Sequence, residues 1–257
     1  MIPEIIFTDV DDTLTWHGEL PLATLQALYQ LRDAGIGVIP VTGACAGWCD
    51  QMARLWPVMA VIGENGAFCI EKHQGALTYI DTQDLETRQN NNQKLTQVAA
   101  QMLAKYPLVG LAKDNQYRRY DLAIDFNQEC RGMSLAAVSQ MVADIHQLGI
   151  KATISSIHVN TWIGEQSKLS GARQWLARNR PEWNEAQIRE RCAYSGDSPN
   201  DEPMFSFFKN TVGVANIAPY LPLMKHHPAK VMSQCGGAGF AEWVTEILQQ
   251  KHPQQVA

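Results

Sequence analysis

Short, unbroken apolar runs alternate along this chain with stretches of helical spacing, and that alternation restricts its fold more than any other feature. One run extends from Glu4 to Val10, and a second, IGVIPV, starts at Ile36. Between them Leu22, Leu25, Leu28, Tyr29 and Leu31 recur at helical spacing up to Gly35. A strand that is apolar at successive positions has to be covered on both faces. Strand, helix and strand in this order therefore predict a parallel sheet with right-handed crossovers.

The pattern continues with a helix over Cys45 to Trp56 and the run VMAVIG, after which Asn65-Gly66 predicts a hairpin turn into AFCIEK. From about Thr82 the texture changes. Asp84 to Tyr106 is polar and helical, YDLAIDF alternates like a half-exposed strand, Ser134 to Leu148 is helical, and KATISSIHVNTWIG reads as one or two strands. These predict a small α+β module with an antiparallel sheet. After Ser167 the first pattern resumes with a helix from Leu169 to Asn179, the strand CAYSGD, a short helix from Asp201 to Phe208, the strand TVGVAN and a last helix from Phe240 to Gln249. The fold class expected is α/β: a doubly wound, Rossmann-like parallel-sheet core from residues 1–81 and 163–257, split by an inserted α+β domain at 82–162.

A chain of 257 residues can hold both parts. Its net charge of -5, with no basic cluster beyond YRRY at Tyr117 to Tyr120, argues against a nucleic-acid partner. No apolar run approaches a membrane span. The opening MIPEIIFTDV lacks a basic segment, and the six cysteines lie in apolar or small-residue contexts, so a cytoplasmic protein with reduced thiols is expected. Cys45 and Cys49 are not spaced as CxxC and have no histidine nearby, which speaks against a zinc or redox pair. A small, diffusible substrate and a monomer or small homo-oligomer fit this composition.

The stretch FTDVDDTLTWHG, Phe7 to Gly18, sets Asp9, Asp11 and Asp12 at the end of an apolar run. Such crowding has to be relieved by a cation, a shared proton or open solvent. Open parallel sheets bind ligands at the carboxyl ends of their strands. Asp9 with Asp11, Thr42, Lys168, and Asp197 with Asp201 in SGDSPNDEPMF all fall at or near such ends. Carboxylate oxygens suit Mg²⁺, and a hydroxyl with an ammonium suits phosphoryl oxygens. Each group also has a plainer reading. SPND is a good helix start, with Ser198 as N-cap, Pro199 in the first turn and Asp201 at the capping-box position. Thr42 alone reads as a turn residue, Lys168 alone as a solvated lysine, and Asp12 as a turn cap.

With these motifs in this order the sequence resembles the haloacid dehalogenase-like hydrolase superfamily. Its DxDxT motif matches Asp9, Asp11 and Thr13, Thr42 and Lys168 match the second and third motifs, and GDSPND at Gly196 to Asp201 matches the acidic fourth. The module between the second and third motifs, together with ENGA, is similar to the class IIB cap of Cof-type and sugar-phosphate phosphatases. One departure is TGACAG, where many relatives carry an Arg directly after TG.

The resemblance implies an aspartyl-phosphate mechanism. Asp9 would be the nucleophile and Asp11 the acid and then the base, while Thr42, Gly43 and Lys168 would hold the phosphoryl oxygens. Mg²⁺ would be bound by Asp9, the main-chain carbonyl of Asp11, and Asp197, with Asn200 and Asp201 orienting Lys168 or a bound water. Asn65 is expected either as a plain hairpin-turn residue or at the pocket mouth. In the cap, Lys113, Arg118 and Arg119 are candidates for an anionic substrate, but strand alternation lets at most one of the two arginines point inward. His158 reads as an ordinary strand histidine. The implied function is a Mg²⁺-dependent phosphomonoester hydrolase of a small phosphorylated metabolite, with a sugar phosphate as first choice. The alternatives are a phosphomutase and a catalytically silent phosphometabolite-binding protein. The presence of Asp11 disfavours dehalogenation, and a response-regulator-like domain would be about half this length.

Overall fold

The computed structural model describes residues 2–251. The apolar runs and helical stretches form β1 (Ile5–Thr8), α1 (Leu22–Asp33), β2 (Gly37–Pro40), α2 (Ala46–Leu55), β3 (Ala60–Gly63), β4 (Phe68–His73) and β5 (Ala76–Asp81). Next come α3 (Leu85–Lys105), β6 (Gly110–Leu111), β7 (Asp121–Asp125), α4 (Leu135–Gln147), β8 (Lys151–Ile154) and β9 (His158–Trp162). The chain closes with α5 (Lys168–Asn179), α6 (Glu185–Arg191), β10 (Cys192–Gly196), α7 (Glu202–Phe207), β11 (Asn210–Gly213), β12 (Lys230–Val231) and α8 (Gly236–Lys251).

The main sheet has the order β12-β11-β10-β1-β2, with every neighbouring pair parallel. Alternation along the buried strands sends Ile6, Val38 and Ala193 to one face, where they pack with Leu28 and Leu31 of α1 and Phe240 and Val244 of α8. Ile5, Phe7, Ile39 and Tyr194 face the other way, onto Trp175 and Leu176 of α5 and Met204 and Phe205 of α7. The sheet is thus covered on both sides, as its continuous apolar strands require. The chain winds from β1 toward β2 and later fills the opposite side from β10 outward, so the strand order reverses between β1 and β10. A crevice at their carboxyl ends follows from that reversal.

The predicted hairpin is β3 with β4, and β5 adds an antiparallel edge. Val41 and Ile62 bridge this small sheet to the end of β2. Three successive residues in the turn, Glu64, Asn65 and Gly66, have positive φ values of 42°, 55° and 99°. At Gly66 a Cβ would also lie 2.1 Å from the Ser167 carbonyl oxygen, so only glycine lets α5 start against this turn.

Between β5 and α5 the chain builds a separate antiparallel sheet, β6-β7-β9-β8. One face packs on α3 and α4 through Leu95, Met102, Ile124, Val138, Met141, Ile145 and Val159, a core independent of the main sheet. Asp84 and Ser134 cap the two helices by accepting from Thr87 N and Ala137 N. The register pairs Asp121 with Trp162, Ala123 with Asn160 and Asp125 with His158 on the opposite face. β5, α6 and β12 were not foreseen: β5 is a largely exposed edge strand, α6 has seven residues and β12 has two.

Candidate active site

Asp9 follows the last residue of β1, and its N–H donates to Ser195 O of β10 at 2.9 Å, prolonging the pairing of the two strands at the reversal point. Its side chain is buried, and Oδ1 accepts from Lys168 Nζ at 2.7 Å. Lys168 opens α5, where Ser167 and Ser170 form a reciprocal capping box that fixes the helix start. The same ammonium donates to Asp201 Oδ1 at 2.7 Å and to Asn200 Oδ1 at 3.1 Å. Asp201 Oδ1 also accepts from the Tyr194 hydroxyl, and its Oδ2 accepts from Asp197 N and Ser198 N. The capping and charged readings of SPND therefore coincide: one oxygen of Asp201 caps the turn, the other pairs with Lys168.

Asp197 is buried at the end of β10, with Thr13 Oγ1 at 3.4 Å from one oxygen and Asn216 Nδ2 at 3.0 Å from the other. Asn216 Nδ2 also reaches the Asp12 carbonyl, and its Oδ1 accepts from Gly236 N at the head of α8. Asp12 has a φ of 56°, and its Oδ1 accepts from His17 N, as expected of a turn cap.

Carboxylate oxygens of Asp9, Asp197 and Asp201 lie within 4.8 Å of one another, and among the described residues Lys168 is the one ammonium bonded to this group. Burial pushes the Asp9 carboxyl up to about 7 against the pull of Lys168, with Asp201 and Asp11 adding to the rise. Burial and then Asp12 push Asp11 up to about 6, and Asp197 is driven well above the carboxylate range by burial and by Asp9. Lys168 keeps its proton: burial works against the charge, but Asp201 and Asp9 outweigh it. The group is short of positive charge. Lys168, Tyr194 and two main-chain N–H groups hold Asp201, and Asp197 meets Asn216 and, more loosely, Thr13, whereas Asp9 keeps one oxygen that no donor meets among the described residues and is the carboxylate most open to a cation. An all-oxygen set of this kind fits a hard divalent ion such as Mg²⁺.

Thr42 is buried beyond β2, where Oγ1 accepts from Ala44 N at 2.9 Å and its carbonyl accepts from Asn65 N. A cavity of about 480 Å³ opens above this floor. Asp9, Asp11, Gly43 and Asn200 line its base, Trp48 and Tyr117 its sides, and Lys113, Arg118, His158 and Asn160 descend from the inserted unit. Thr42 and Lys168 lie buried behind the base. A second cavity, of about 640 Å³, meets the first at Asp11 and extends past Asp12 and Asp197.

The two arginines lie in the bend before β7, not in a strand, and they part there. Arg118 is buried with Asp114 and Asp121, whereas Arg119 turns away from the cavity to Asp81 at 2.9 Å. Lys113 lines the cavity but pairs with Glu129. Asn65 is buried beside the Thr42 loop and off the cavity wall, with no partner for its side-chain amide among the described residues. His158 bonds Gln128 through Nε2 at 2.9 Å, and burial, then Arg118, push it down to about 4.

Residues 6–118 match the family model described as haloacid dehalogenase-like hydrolase. Over that stretch the chain is similar to this family. Among solved structures, the Thermoplasma acidophilum protein 0175 superposes with a TM-score of 0.73 at 14% identity, covering 96% of this chain and 99% of that one. A haloacid dehalogenase-like hydrolase from Bacteroides thetaiotaomicron gives 0.64 at 15%, covering 95% and 99%. The sucrose-phosphatase of Synechocystis, in complex with sucrose and phosphate, gives 0.64 at 13%, covering 96% and 98%. No curated protein matches the sequence. No helix among the described residues is long and apolar enough to cross a membrane.

Three residues of this site escaped the sequence reading. Glu64 was hidden by the turn signal of its neighbours, yet its carboxylate accepts from Ala46 N, Arg119 N, Tyr120 N and Asp121 N. Asn216 sits at the end of the apolar TVGVAN, where a polar residue at a strand terminus was the available signal. Asn160 alternates with core positions along β9 and was indistinguishable from a solvated strand residue.

Proposed function

We propose that the protein is a Mg²⁺-dependent phosphomonoester hydrolase that works through an aspartyl-phosphate on Asp9 and acts on a small phosphorylated metabolite, of the sugar-phosphate class. The observation that carries this reading is the Asp9–Lys168–Asp201 chain, with Asp11 at the base of the cavity and Asp197 close to Asp9 on the side of the second cavity.

Lys168 holds one oxygen of Asp9 and leaves the other, which has no donor among the described residues, to attack phosphorus. As that bond forms, the bond from phosphorus to the ester oxygen breaks, and Asp11 delivers its proton to the departing alkoxide. A carboxyl held near 6 carries that proton in a useful fraction of molecules close to neutrality. Asp11, now ionised, takes a proton from water attacking the same phosphorus, which frees inorganic phosphate and restores Asp9. The Thr42 hydroxyl, the Gly43 N–H and Lys168 hold the phosphoryl oxygens throughout. Asp9, Asp197 and the Asp11 carbonyl would hold Mg²⁺, which would supply neutralisation of the charge gathered on the phosphoryl group.

In this reading residues 1–81 and 163–257 are the catalytic core and 82–162 the cap over the cavity, residues 1 and 252–257 lying outside the described part of the chain. Exposed Trp48 offers a flat apolar face, and Gln116 and Asn160 offer amides, a combination suited to a polyhydroxylated leaving group. Solved structures of a sucrose-phosphatase and of a trehalose-6-phosphate phosphatase related protein share the fold. The test is a panel of hexose, pentose, disaccharide and glycerate phosphates, nucleotides and pyridoxal phosphate with Mg²⁺. Release of phosphate from at least one ester, lost in Asp9→Asn, is expected. Release that survives Asp9→Asn, or no release from any ester, overturns the reading, and isomerisation without release indicates a mutase.

A further inference from the structure

The loop that follows β2 is held by its carbonyls. Thr42 O accepts from Asn65 N at 2.9 Å and Ala44 O from Glu64 N at 3.2 Å, both from the turn after β3. The carbonyl between them, Gly43 O, is held from the inserted unit by Arg118 Nη1 at 2.8 Å, with Asn160 Nδ2 further off at 3.4 Å. A peptide is planar, so fixing Gly43 O fixes the Ala44 N–H on its far side. That N–H donates to Thr42 Oγ1 at 2.9 Å. An oxygen that already accepts this bond turns its own O–H elsewhere, and Gly43 and Ala44, next along the loop from buried Thr42, line the cavity.

Arg118 is poorly suited to meeting a substrate anion itself. Its Nε and Nη2 go to the two oxygens of Asp114, and Nη1 is shared between Asp121 and Gly43 O. Two carboxylates more than cancel its charge, and its side chain is 2% exposed. The clamp is also tight. A Cβ at Gly43 would lie 3.2 Å from both Asn160 Oδ1 and Asn65 Nδ2. Glu64 secures the same segment of the inserted unit by accepting from the N–H groups of residues 119–121.

We propose that Arg118 is a positioning residue for phosphate: from the inserted unit it fixes the Gly43–Ala44 peptide, and through that peptide it aims the Thr42 hydroxyl at a phosphoryl oxygen. The phosphate cradle is then complete only while the inserted unit is docked. This goes beyond the phosphatase reading and rests on it for the role of Thr42.

The test uses the full chain with Mg²⁺, inorganic phosphate as ligand in calorimetry, and p-nitrophenyl phosphate as an ester too small to need the cap. In Arg118→Met, phosphate affinity and kcat on the small ester are each expected to fall by about tenfold, the order of one misplaced donor, with KM changing less than kcat. Arg118→Met with Asp121→Asn keeps the buried charges balanced should the single variant fail to fold, and is expected to show the same loss. In a Thr42→Val background the Arg118 change is expected to cost less than about twofold, because coupled groups are non-additive. Unchanged phosphate affinity in a folded variant, equal losses with and without the Thr42 hydroxyl, or losses confined to large esters would each overturn the proposal. Failure of the phosphatase reading shows separately, as absent turnover in the unmodified protein, while the phosphate-binding arm still reads the clamp.

Discussion

Lys168 donates to Asp9 across 2.7 Å although 159 residues separate them, and both side chains are buried. The pair is the centre of the site. Replacing Lys168 by Met leaves Asp9 and Asp201 without their cation, and breaking a buried pair from one side costs about 3–5 kcal/mol. Lys168→Met is therefore expected to unfold at lower denaturant and to lose turnover. Denaturant melts and phosphate-release assays on the same sample check both.

The three aspartates of the first motif should separate cleanly. Asp9→Asn is expected to release no phosphate above background, and Asp11→Asn to lose on the order of 10²–10⁴ in rate, the usual worth of a positioned acid. Asp12→Asn should stay active. Because the negative charge of Asp12 raises the Asp11 carboxyl, removing it lets Asp11 ionise at lower pH, so the alkaline limb of the pH–rate profile should move toward acid. A profile unmoved in Asp12→Asn would detach Asp11 from that limb.

The parallel core was legible because a strand buried on both faces betrays itself by a largely unbroken apolar run, as β1, β2 and β10 do. Asp9, Thr42, Lys168 and Asp197 were legible because strand ends are few and each carried a chemically useful group. Glu64 and Asn160 were not, since both act through main-chain groups of segments far away in sequence, and pairing of that kind leaves no periodic trace. Arg118 was barely legible: alternation allowed at most one of the two neighbouring arginines to point inward, and it could not say that this residue would sit in a bend before β7 and meet Asp114, Asp121 and a core carbonyl.

Divalent metal should register in stability as well as in rate. A ligand at 100 times its dissociation constant adds about 2.7 kcal/mol to the folded state. Mg²⁺ is therefore expected to raise the unfolding midpoint of the chelator-treated protein at constant ionic strength and to restore its turnover. In Asp197→Ala the added ion should leave the midpoint unmoved. A midpoint insensitive to Mg²⁺ in the unmodified protein would remove the metal from the site.

His158 should stay neutral well below the usual histidine range. Its folded-state value is pushed down to about 4 from 6.5 by burial and by Arg118. Between those values the unfolded chain binds the proton and the folded one does not, so this residue's stabilising contribution is full above about 6.5 and is lost as pH falls toward 4. The imidazole signal of His158 in an NMR titration should hold still from pH 7 to about 5. In His158→Gln the unfolding free energy should fall less between pH 6.5 and 4 than it does in the unmodified protein.

The position of β1 in the sheet has a consequence for how the chain is made. The residues of β1 are synthesised well before those of one of its two neighbours, β10, with which it pairs across a separation of 187 residues, as in the contact of Thr8 with Ser195. Until that partner is synthesised, the acidic end of β1 has neither Lys168 nor the strand that seals it from water. The inserted unit, with its own apolar core, lies wholly within that interval. It can fold while the first half of the sheet waits, and the residues of the candidate site come together last.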